Sequence, residues 1–377
     1  MQKEFSIYLD LVRFVAAVMV LLSHSNVRKV IAEPLSLSDQ GHAAVIVFFI
    51  LSGYVISYIT AEREKTPIDY WSSRLSRFYS LVIPVVLLTP LLDVIGESIA
   101  PQFYVGKTTN DLAWVRILSS LTYLNEVWHI SIMSFSNVPF WSLCYEMWYY
   151  VLFAVVAFTR GRTRYALLAA VALVVGPKIL MLAPIWMFGV VLHRSNTLAR
   201  LSEASCWALF LGSVALYLAF DHYQMTAYGD GLMRNLVGEK WFRTLTFSQH
   251  VIGDYPLALI IAANFVGFRG IAHRFGWLLL PAEAPIRWVA GLTFSLYIMH
   301  QPLLQFFAAL IRGDNSTPVF YFQVLACTFV TIAVVGRFTE QKRHVLKRWI
   351  KHALKRLDAW WQQRQAASVA AAPDSVR

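Results

Sequence analysis

The sequence predicts an all-α protein, a polytopic transmembrane helical bundle of about ten spans with both termini in the cytoplasm. Hydrophobic residues make up 57% of the 377 positions and charged residues only 15%, whereas a soluble chain carries roughly a quarter charged residues. The apolar residues also occur in runs close to the roughly 20 residues that a spanning helix needs. Composition and run length together therefore place the chain in a lipid bilayer.

Ten apolar stretches carry this prediction, and each is interpreted as one span. They cover residues 7–25, 41–60, 79–97, 141–159, 165–176, 178–193, 205–221, 250–267, 286–309 and 319–337. The fifth stretch is short and runs into Gly176-Pro177, which predicts a kinked or broken helix pair. Segment 112–133 is also apolar, but polar residues such as Arg116 and Glu126 favour a position at the outer interface.

Basic residues gather in alternate connections between these spans, as the positive-inside rule predicts for cytoplasmic loops. They include Arg63, Lys65, Arg74, Arg77, Arg160, Arg162, Arg164, Arg194, Arg200, Arg269 and Arg274. The net charge of +11 is therefore attributed to membrane orientation, and nucleic-acid binding is not indicated. The same bias predicts an even number of spans.

Two parts of the chain differ in character, a membrane domain over residues 1–340 and a basic cytoplasmic tail over residues 341–377. Within the tail, residues 342–361 place apolar side chains on one helical face and Lys or Arg on the other. Such a basic amphipathic helix is typical of segments that lie on an anionic leaflet. A solvated tail is the alternative, although it would expose Trp360 and Trp361.

The three cysteines, Cys144, Cys206 and Cys327, all lie in apolar stretches, so neither a disulfide framework nor a cysteine-rich metal site is indicated. The chain also has no phosphate-binding P-loop, no pair of histidines at metal-ligand spacing and no acidic cluster. The sequence therefore predicts no metal.

Arg13 and His24 lie eleven residues apart within the first span. Eleven residues are close to three helical turns, so both side chains point to one face, roughly 16 Å apart along the axis. Ionisable groups in hydrocarbon are costly unless they are paired or face a polar cavity. The pair therefore predicts a functional polar stripe, although Asp10, one turn before Arg13, offers that arginine a structural partner instead.

Ser142 and Glu146 share one face at the start of the fourth span. Counting residues from the outer surface places Glu146 at a depth similar to His24. A carboxylate beside a histidine raises its basicity and fixes its tautomer, which suits a general base that deprotonates a hydroxyl. The alternative is a glutamate that reaches the interface.

Arg74 and Arg77 lie one helical turn apart before the third span, and two guanidiniums on one face can hold phosphates as a fork. Ordinary positive-inside bias is the better explanation of this pair taken alone. In the ninth span, Tyr297 and His300 precede Pro302, which opens the helix backbone. His300 could contact a ligand or hydrogen-bond a neighbouring helix. In the second span, Ser52-Gly53 is interpreted as a site of close helix packing.

Taken in order, these segments resemble the acyltransferase-3 family of integral membrane O-acyltransferases, which modify bacterial surface polysaccharides. The matching pieces are Arg13 with His24, the stretch FFILSGYVIS, Arg74 with Arg77, Trp141-Ser142 with Glu146, and Phe294-Ser295-Leu296-Tyr297 with His300 and Pro302. The chain departs from the family pattern at Ser73, where a further arginine is common, and at Met147, where a second acidic residue is common.

The resemblance implies a multi-pass protein of the bacterial cytoplasmic (inner) membrane that takes an acyl group, usually acetyl, from cytoplasmic acyl-CoA. The acceptor would be a hydroxyl of a saccharide or lipid-linked glycan. His24 would be the catalytic base with Glu146 as its partner. Arg13, Arg74 and Arg77 would meet the donor, and Ser142, Tyr297 or His300 would contact the oxyanion or substrate.

Two other classes of function use the same residues differently. A transporter or flippase of acyl groups or glycolipids would line its path with them, but it would more often show inverted repeats with interrupted helices in both halves, which the sequence lacks. A non-catalytic membrane subunit would bind no acyl-CoA.

Overall fold

The computed structural model describes residues 1–27, 30, 40–104, 111–339 and 343–370. Within them the helices, numbered in chain order, are α1 (Lys3–Val27), α2 (Gly41–Glu62), α3 (Pro67–Ile99), α4 (Ala113–Leu121), α5 (Trp141–Phe158), α6 (Gly161–Arg194), α7 (Asn196–Ala199), α8 (Glu203–His222), α9 (Met225–Thr244), α10 (Val251–Ile271), α11 (Gly276–Leu279), α12 (Glu283–Ala290), α13 (Thr293–Leu310), α14 (Pro318–Thr339) and α15 (Arg343–Ala370). The predicted all-α helical bundle is confirmed.

Eight stretches of the described chain are helical, long and apolar enough to cross a membrane, and they contain α1, α2, α3, α5, α6, α8, α10 and α14. The prediction of about ten spans differs from this count at two places, α6 and α13. Exposed leucines and valines along α3, α8 and α14 give these helices the apolar outer surface that contact with lipid requires.

Helix α6 contains two of the predicted spans. Gly176, in its middle, has φ +73° and ψ −175°, a conformation that is essentially restricted to glycine. Arg164 near its start donates to the carbonyl of Thr159 at 2.8 Å, and Arg194 at its end lies 5.4 Å above the ring of Phe153. A straight helix of this length would measure about 50 Å. Both ends therefore reach the last turns of α5 only because the chain reverses at Gly176, which confirms the expected broken helix pair.

The predicted span 286–309 divides into α12 and α13. Helix α13 buries Ser295, His300, Gln301 and Gln305, and these polar side chains lower its hydropathy below that of the other spans. A helix with so many buried polar groups must face other parts of the protein rather than lipid.

One end of the bundle, which we call the basic end, is where α1 and α3 begin. Lys3 forms an ion pair with Glu283 of α12 at 2.6 Å, and Lys351 of α15 contacts Asp69 in the first turn of α3 at 2.5 Å. We call the opposite end the His24 end. The side of the membrane that each end faces stays a prediction. In the C-terminal part of the chain, residues 340–342 and 371–377 lie outside the described residues.

Close packing of α2 against α6 depends on two glycines. A Cβ atom on Gly53 would lie 2.0 Å from the carbonyl oxygen of Trp186, and one on Gly189 would lie 2.0 Å from that of Ile50. Because such distances are far below van der Waals contact, neither position accepts a side chain without moving a helix. The expected role of Ser52-Gly53 in close packing is confirmed.

The segment between α4 and α5 packs into the bundle, and the predicted place of residues 112–133 at the outer interface stays a prediction. Helix α4 has nine residues, too few to span a bilayer. Further along, the carbonyl of Tyr123 accepts hydrogen bonds from Cys144 at 3.0 Å and Trp148 at 2.8 Å, and Asn137 donates to the carbonyl of Ile298 at 2.8 Å. Buried backbone groups need such partners, and α5 and α13 supply them.

Candidate active site

A narrow cavity of about 60 Å³ lies inside the bundle between α1, α2, α3, α5 and α13. Five of the predicted site residues line it, namely Arg13, Arg77, Ser142, Glu146 and Tyr297. One water molecule needs about 10–15 Å³ of such space, so the cavity has room for a few waters. The sequence prediction that these residues share one site is thus matched by the fold.

Glu146 is the acidic group of this cavity. Its carboxylate accepts hydrogen bonds from Ser52 at 2.5 Å and from Tyr150, one helical turn further along α5. Trp186 of α6 donates to the hydroxyl of Ser52 at 3.1 Å, which fixes this hydroxyl between α6 and α5. Hydrogen bonds from hydroxyl groups stabilise a carboxylate inside a protein. Neither Ser52 nor Tyr150 was singled out as a partner of Glu146 from the sequence, although Tyr150 follows it by four residues and so shares its face.

Arg13 faces the same cavity and is only loosely held by Asp10. The separation between Arg13 and Asp10 is 3.9 Å, whereas Asp10 accepts a hydrogen bond from Arg287 at 2.8 Å. Since the strong partner of Asp10 is Arg287, a purely structural Arg13–Asp10 pair is not favoured. The carboxylate of Glu146 in the shared cavity is the second negative charge near Arg13.

Arg74 and Arg77 do not form the predicted fork. Arg74 is buried, pairs with the carboxylate of Glu64 and lies 4.4 Å above the ring of Tyr70. Arg77 lines the cavity, with its guanidinium 5.5 Å from the ring centre of Phe294. Glu64, just before α3, pairs with Arg74, so the two arginines have different surroundings. Two donor nitrogens of Arg74, Nε and Nη2, have no hydrogen-bond partner among the described residues.

His24 lies against His300 near the other end of the bundle. The Nδ1 atom of His24 is 2.8 Å from the carbonyl oxygen of Val20 and 3.3 Å from Nε2 of His300. His300 is fully buried, and its own Nδ1 lies 3.0 Å from the carbonyl oxygen of Leu296. A ring nitrogen beside a carbonyl must carry the proton, so this network assigns an Nδ1–H tautomer to both rings. The Nε2 atom of His300 is then an acceptor, and Nε2 of His24 carries the lone pair that a general base needs.

The predicted pairing of His24 with Glu146 is not among the contacts that the structure describes. Among the described residues no hydrogen bond joins them, and Glu146 is held by Ser52 and Tyr150 instead. The carbonyl of Val20 and the ring of His300 fix the tautomer of His24, the task that the sequence interpretation gave to the glutamate. His300, for which ligand contact and helix contact were both open, makes the helix contact with α1.

Ser142 and Tyr297 bridge α5 and α13. They lie between the charged residues of the cavity and the His24–His300 pair. Their hydroxyl oxygens are 2.6 Å apart, and both can also donate to the carbonyl of Pro139, at 3.1 Å and 3.5 Å. In either arrangement both hydroxyl protons are used. Stabilisation of an oxyanion by Ser142 or Tyr297 therefore requires this hydrogen bond to break. The ring of Tyr297 lies 6.2 Å from that of His300, so the bridge is one turn from the histidine pair.

A buried ion pair holds the segment between α4 and α5 in place. Lys178, just after the Gly176 reversal, donates to Glu126 at 2.8 Å and to the carbonyl of Ile130 at 2.6 Å, and both charged side chains are 0% exposed. Burial raises the pKa of Glu126, and the lysine opposes that shift. This pair was not identified from the sequence, because nothing in the spacing of residues 52 apart signals contact.

Comparison with known protein families gives one match over most of the chain. A family model described as an acyltransferase domain matches residues 6–337. No solved structure matches the chain.

Three curated relatives are similar to parts of the chain. A putative peptidoglycan O-acetyltransferase, YrhL of Bacillus subtilis, is 22% identical over 84% of this chain and 51% of its own length. An O-acetyl transferase of Shigella phage Sf6 is 39% identical over 22% of this chain and 25% of its own length. The acyltransferase MdmB of Streptomyces mycarofaciens is 27% identical over 37% of this chain and 36% of its own length. The matches thus cover between a quarter and about half of the length of these relatives.

Proposed function

Because the chain belongs to this acyltransferase family, it is a multi-pass membrane acyltransferase, and we propose that it moves an acyl group from cytoplasmic acyl-CoA to a hydroxyl of a saccharide. Acetyl is the proposed acyl group, since two of the relatives are named as O-acetyltransferases. The proposed location is the bacterial inner membrane, with the basic end of the bundle in the cytoplasm.

The donor side of this proposal rests on the charges around the cavity. Arg13 and Arg77 bring two guanidiniums to it and Glu146 one carboxylate, so an anionic or strongly polar donor group is favoured there. The cavity of about 60 Å³ is too small for a pantetheine arm. Binding of the donor must therefore widen the space between α2, α5 and α13.

The chemical step is assigned to His24. Its Nε2 takes the proton of the acceptor hydroxyl while the hydroxyl oxygen attacks the carbonyl carbon of the thioester. The tetrahedral intermediate then collapses, the carbon–sulfur bond breaks, and the thiolate leaving group receives the proton from His24. Tyr297, once its bond to Ser142 is broken, is the proposed donor to the oxyanion.

One observation carries this proposal, the Nδ1–H tautomer of His24 set by Val20 and His300. This tautomer places the lone pair of a neutral His24 on Nε2. In a general base that lone pair is the reactive group, and a positioned base contributes about 10²- to 10⁴-fold to the rate.

The test uses the purified full-length chain in lipid nanodiscs with radiolabelled acetyl-CoA and a mixture of saccharide acceptors. His24→Ala should lower acyl transfer by at least about a hundredfold, with the thermal unfolding midpoint and binding of acetyl-CoA unchanged. The matched control is His222→Ala, since His222 is an exposed histidine at the same end of the bundle. Equal transfer by the His24 variant and the wild type would contradict the catalytic role. Movement of acyl groups across the bilayer without transfer would favour the transporter instead.

A further inference from the structure

A second polar cluster lies at the His24 end of the bundle, outside the cavity described above. His42, in the first turn of α2, contacts the carboxylate of Asp254 in α10 at 2.6 Å. His250, just before α10, contacts both carboxylate oxygens of Asp230 in α9, at 2.8 and 3.0 Å. The two imidazole rings face each other edge to face, with their centres 4.8 Å apart. We call these four residues the double His–Asp cluster.

Small residues bring the elements of this cluster together. A Cβ atom on Gly229 would lie 2.8 Å from the backbone nitrogen of Gly253, so α9 approaches α10 closely enough to place Asp230 beside His250. A Cβ atom on Gly41 would lie 2.4 Å from the hydroxyl of Ser23. Ser23 precedes His24, so the start of α2 that carries the cluster is in direct contact with the turn of α1 that carries the proposed base.

The hydrogen bonds assign a neutral tautomer to His250. His250 donates from Nδ1 to Asp230, and its Nε2 lies 3.0 Å from the amide nitrogen of Gln249 and accepts from it. Burial, and then the neighbouring His42, lower the pKa of His250. His42 donates from Nε2 to Asp254, and its Nδ1 has no hydrogen-bond partner among the described residues.

Two features show that this cluster is more than a tether between helices. The side chain of Asp254 is 0% exposed, and its Oδ2 atom has no hydrogen-bond partner in the described part of the chain. A buried carboxylate oxygen left in this state is costly unless a ligand or water satisfies it. The histidine side chains are meanwhile 27% and 25% exposed, so the cluster is open to a molecule outside the bundle.

The chemistry of the cluster selects one kind of ligand. With two carboxylates and at most one protonated imidazole, that of His42, the cluster is negative overall, and it offers the carboxylate oxygens as acceptor atoms and Nδ1 of His42 as a further polar contact. Hydroxyl groups donate to such acceptors. A carboxylate or phosphate at the same place would be repelled, because like charges a few ångströms apart interact unfavourably even near the protein surface.

We propose that the double His–Asp cluster is the subsite that binds the acceptor, and that it takes an uncharged, hydroxyl-rich saccharide in preference to an acidic one. The assignment of this ligand as the acceptor rests on the proposed acyltransfer to a saccharide. The cluster holds the sugar next to the His24 turn of α1.

The test compares two tetrasaccharides of equal length on the full chain in nanodiscs, by isothermal titration without donor. Chitotetraose has four uncharged N-acetylglucosamine units, and the hyaluronan tetrasaccharide replaces two of them with glucuronates. The wild type should bind chitotetraose about tenfold more tightly, the effect expected from unfavourable contact of one ligand carboxylate with the cluster. Asp230→Asn should reduce this preference to about threefold or less because it removes one of the two charges.

A second variant separates binding from folding. In His42→Gln the amide nitrogen can still donate to Asp254, but the ring Nδ1 is gone, so chitotetraose affinity should fall about tenfold with an unchanged unfolding midpoint. His222→Gln is the matched control and should bind as the wild type does. In a parallel transfer assay, His42→Gln should raise the KM for the acceptor about tenfold.

Three results would overturn the proposal: no chitotetraose binding by the wild type, equal binding by His42→Gln, or equal or tighter binding of the hyaluronan tetrasaccharide. Failure of the proposed function has a different signature. In that case the wild type transfers no acyl group to any saccharide, while the binding measurements, which contain no donor, still report on the cluster.

Discussion

His300 is expected to position His24 without taking part in the chemistry, and its substitution by asparagine or glutamine distinguishes these roles. The amide nitrogen of asparagine occupies about the place of Nδ1 of histidine and can still donate to the carbonyl of Leu296, which His300 contacts at 3.0 Å. It offers no acceptor to His24. The carbonyl oxygen of glutamine reaches about as far as Nε2 and can replace the acceptor that lies 3.3 Å from His24.

The size of the effect follows from the hydrogen bond that is lost. One such bond contributes about 0.5–1.5 kcal/mol net, so His300→Asn should lower kcat about twofold to twelvefold through a less populated Nδ1–H tautomer of His24. The carbonyl of Val20, at 2.8 Å, keeps the remaining share of that tautomer. His24→Ala removes the base itself and should cost about 10²- to 10⁴-fold.

The assay is single-turnover acyl transfer from acetyl-CoA to saccharide in nanodiscs, with thermal unfolding measured on the same samples. His300→Gln should recover most of the activity that His300→Asn loses. The reasoning is refuted if His300→Asn loses as much activity as His24→Ala, because His300 would then act on the reacting atoms. It is also refuted if the two His300 variants are equally active, because the acceptor at the Nε2 position would then be irrelevant.

Three further predictions concern the remaining site and its support. Arg77→Ala should weaken acetyl-CoA binding about tenfold or more in equilibrium dialysis, whereas Arg74→Ala should chiefly lower the unfolding midpoint, because its buried carboxylate partner is left unpaired. Lys178→Met should destabilise the fold by about 3–5 kcal/mol, and adding Glu126→Gln should restore most of that loss in denaturant titrations, because a buried pair is costly to break but cheap to replace. Tyr297→Phe should lower kcat about tenfold to a hundredfold with unchanged acetyl-CoA affinity. Equal losses of kcat and of acetyl-CoA affinity would contradict a role in the transition state.

Most of the helices were predictable because the signal for them is local. A stretch of apolar residues of membrane length is visible in the sequence, and the glycine–proline pair at Gly176 predicted the broken helix. The long helix α3 was less predictable. It begins at Pro67, well before the predicted start of the span at residue 79. The span prediction missed these first turns because they contain charged residues. Hydropathy reports contact with lipid, not the limits of a helix.

The depth of Glu146 was not predictable in the same way. Counting turns from the membrane surface assumes that α5 begins at that surface. The helix begins instead beside Tyr297, because the preceding segment enters the bundle and bonds to α13 through Asn137. Irregular backbone has no periodicity, so the sequence carried no sign of it.

The order of the groups along α13 explains how one hydrogen bond can control the chemistry. Phe294, Tyr297 and His300 follow one another at intervals of three residues, and they face Arg77, Ser142 and His24, respectively. The Ser142–Tyr297 bond therefore lies between the arginine-lined cavity and the histidine pair. While it is made, neither hydroxyl has a proton to offer. In the proposed mechanism, a thioester that separated the two helices would break this bond and free Tyr297 to donate to the thioester carbonyl.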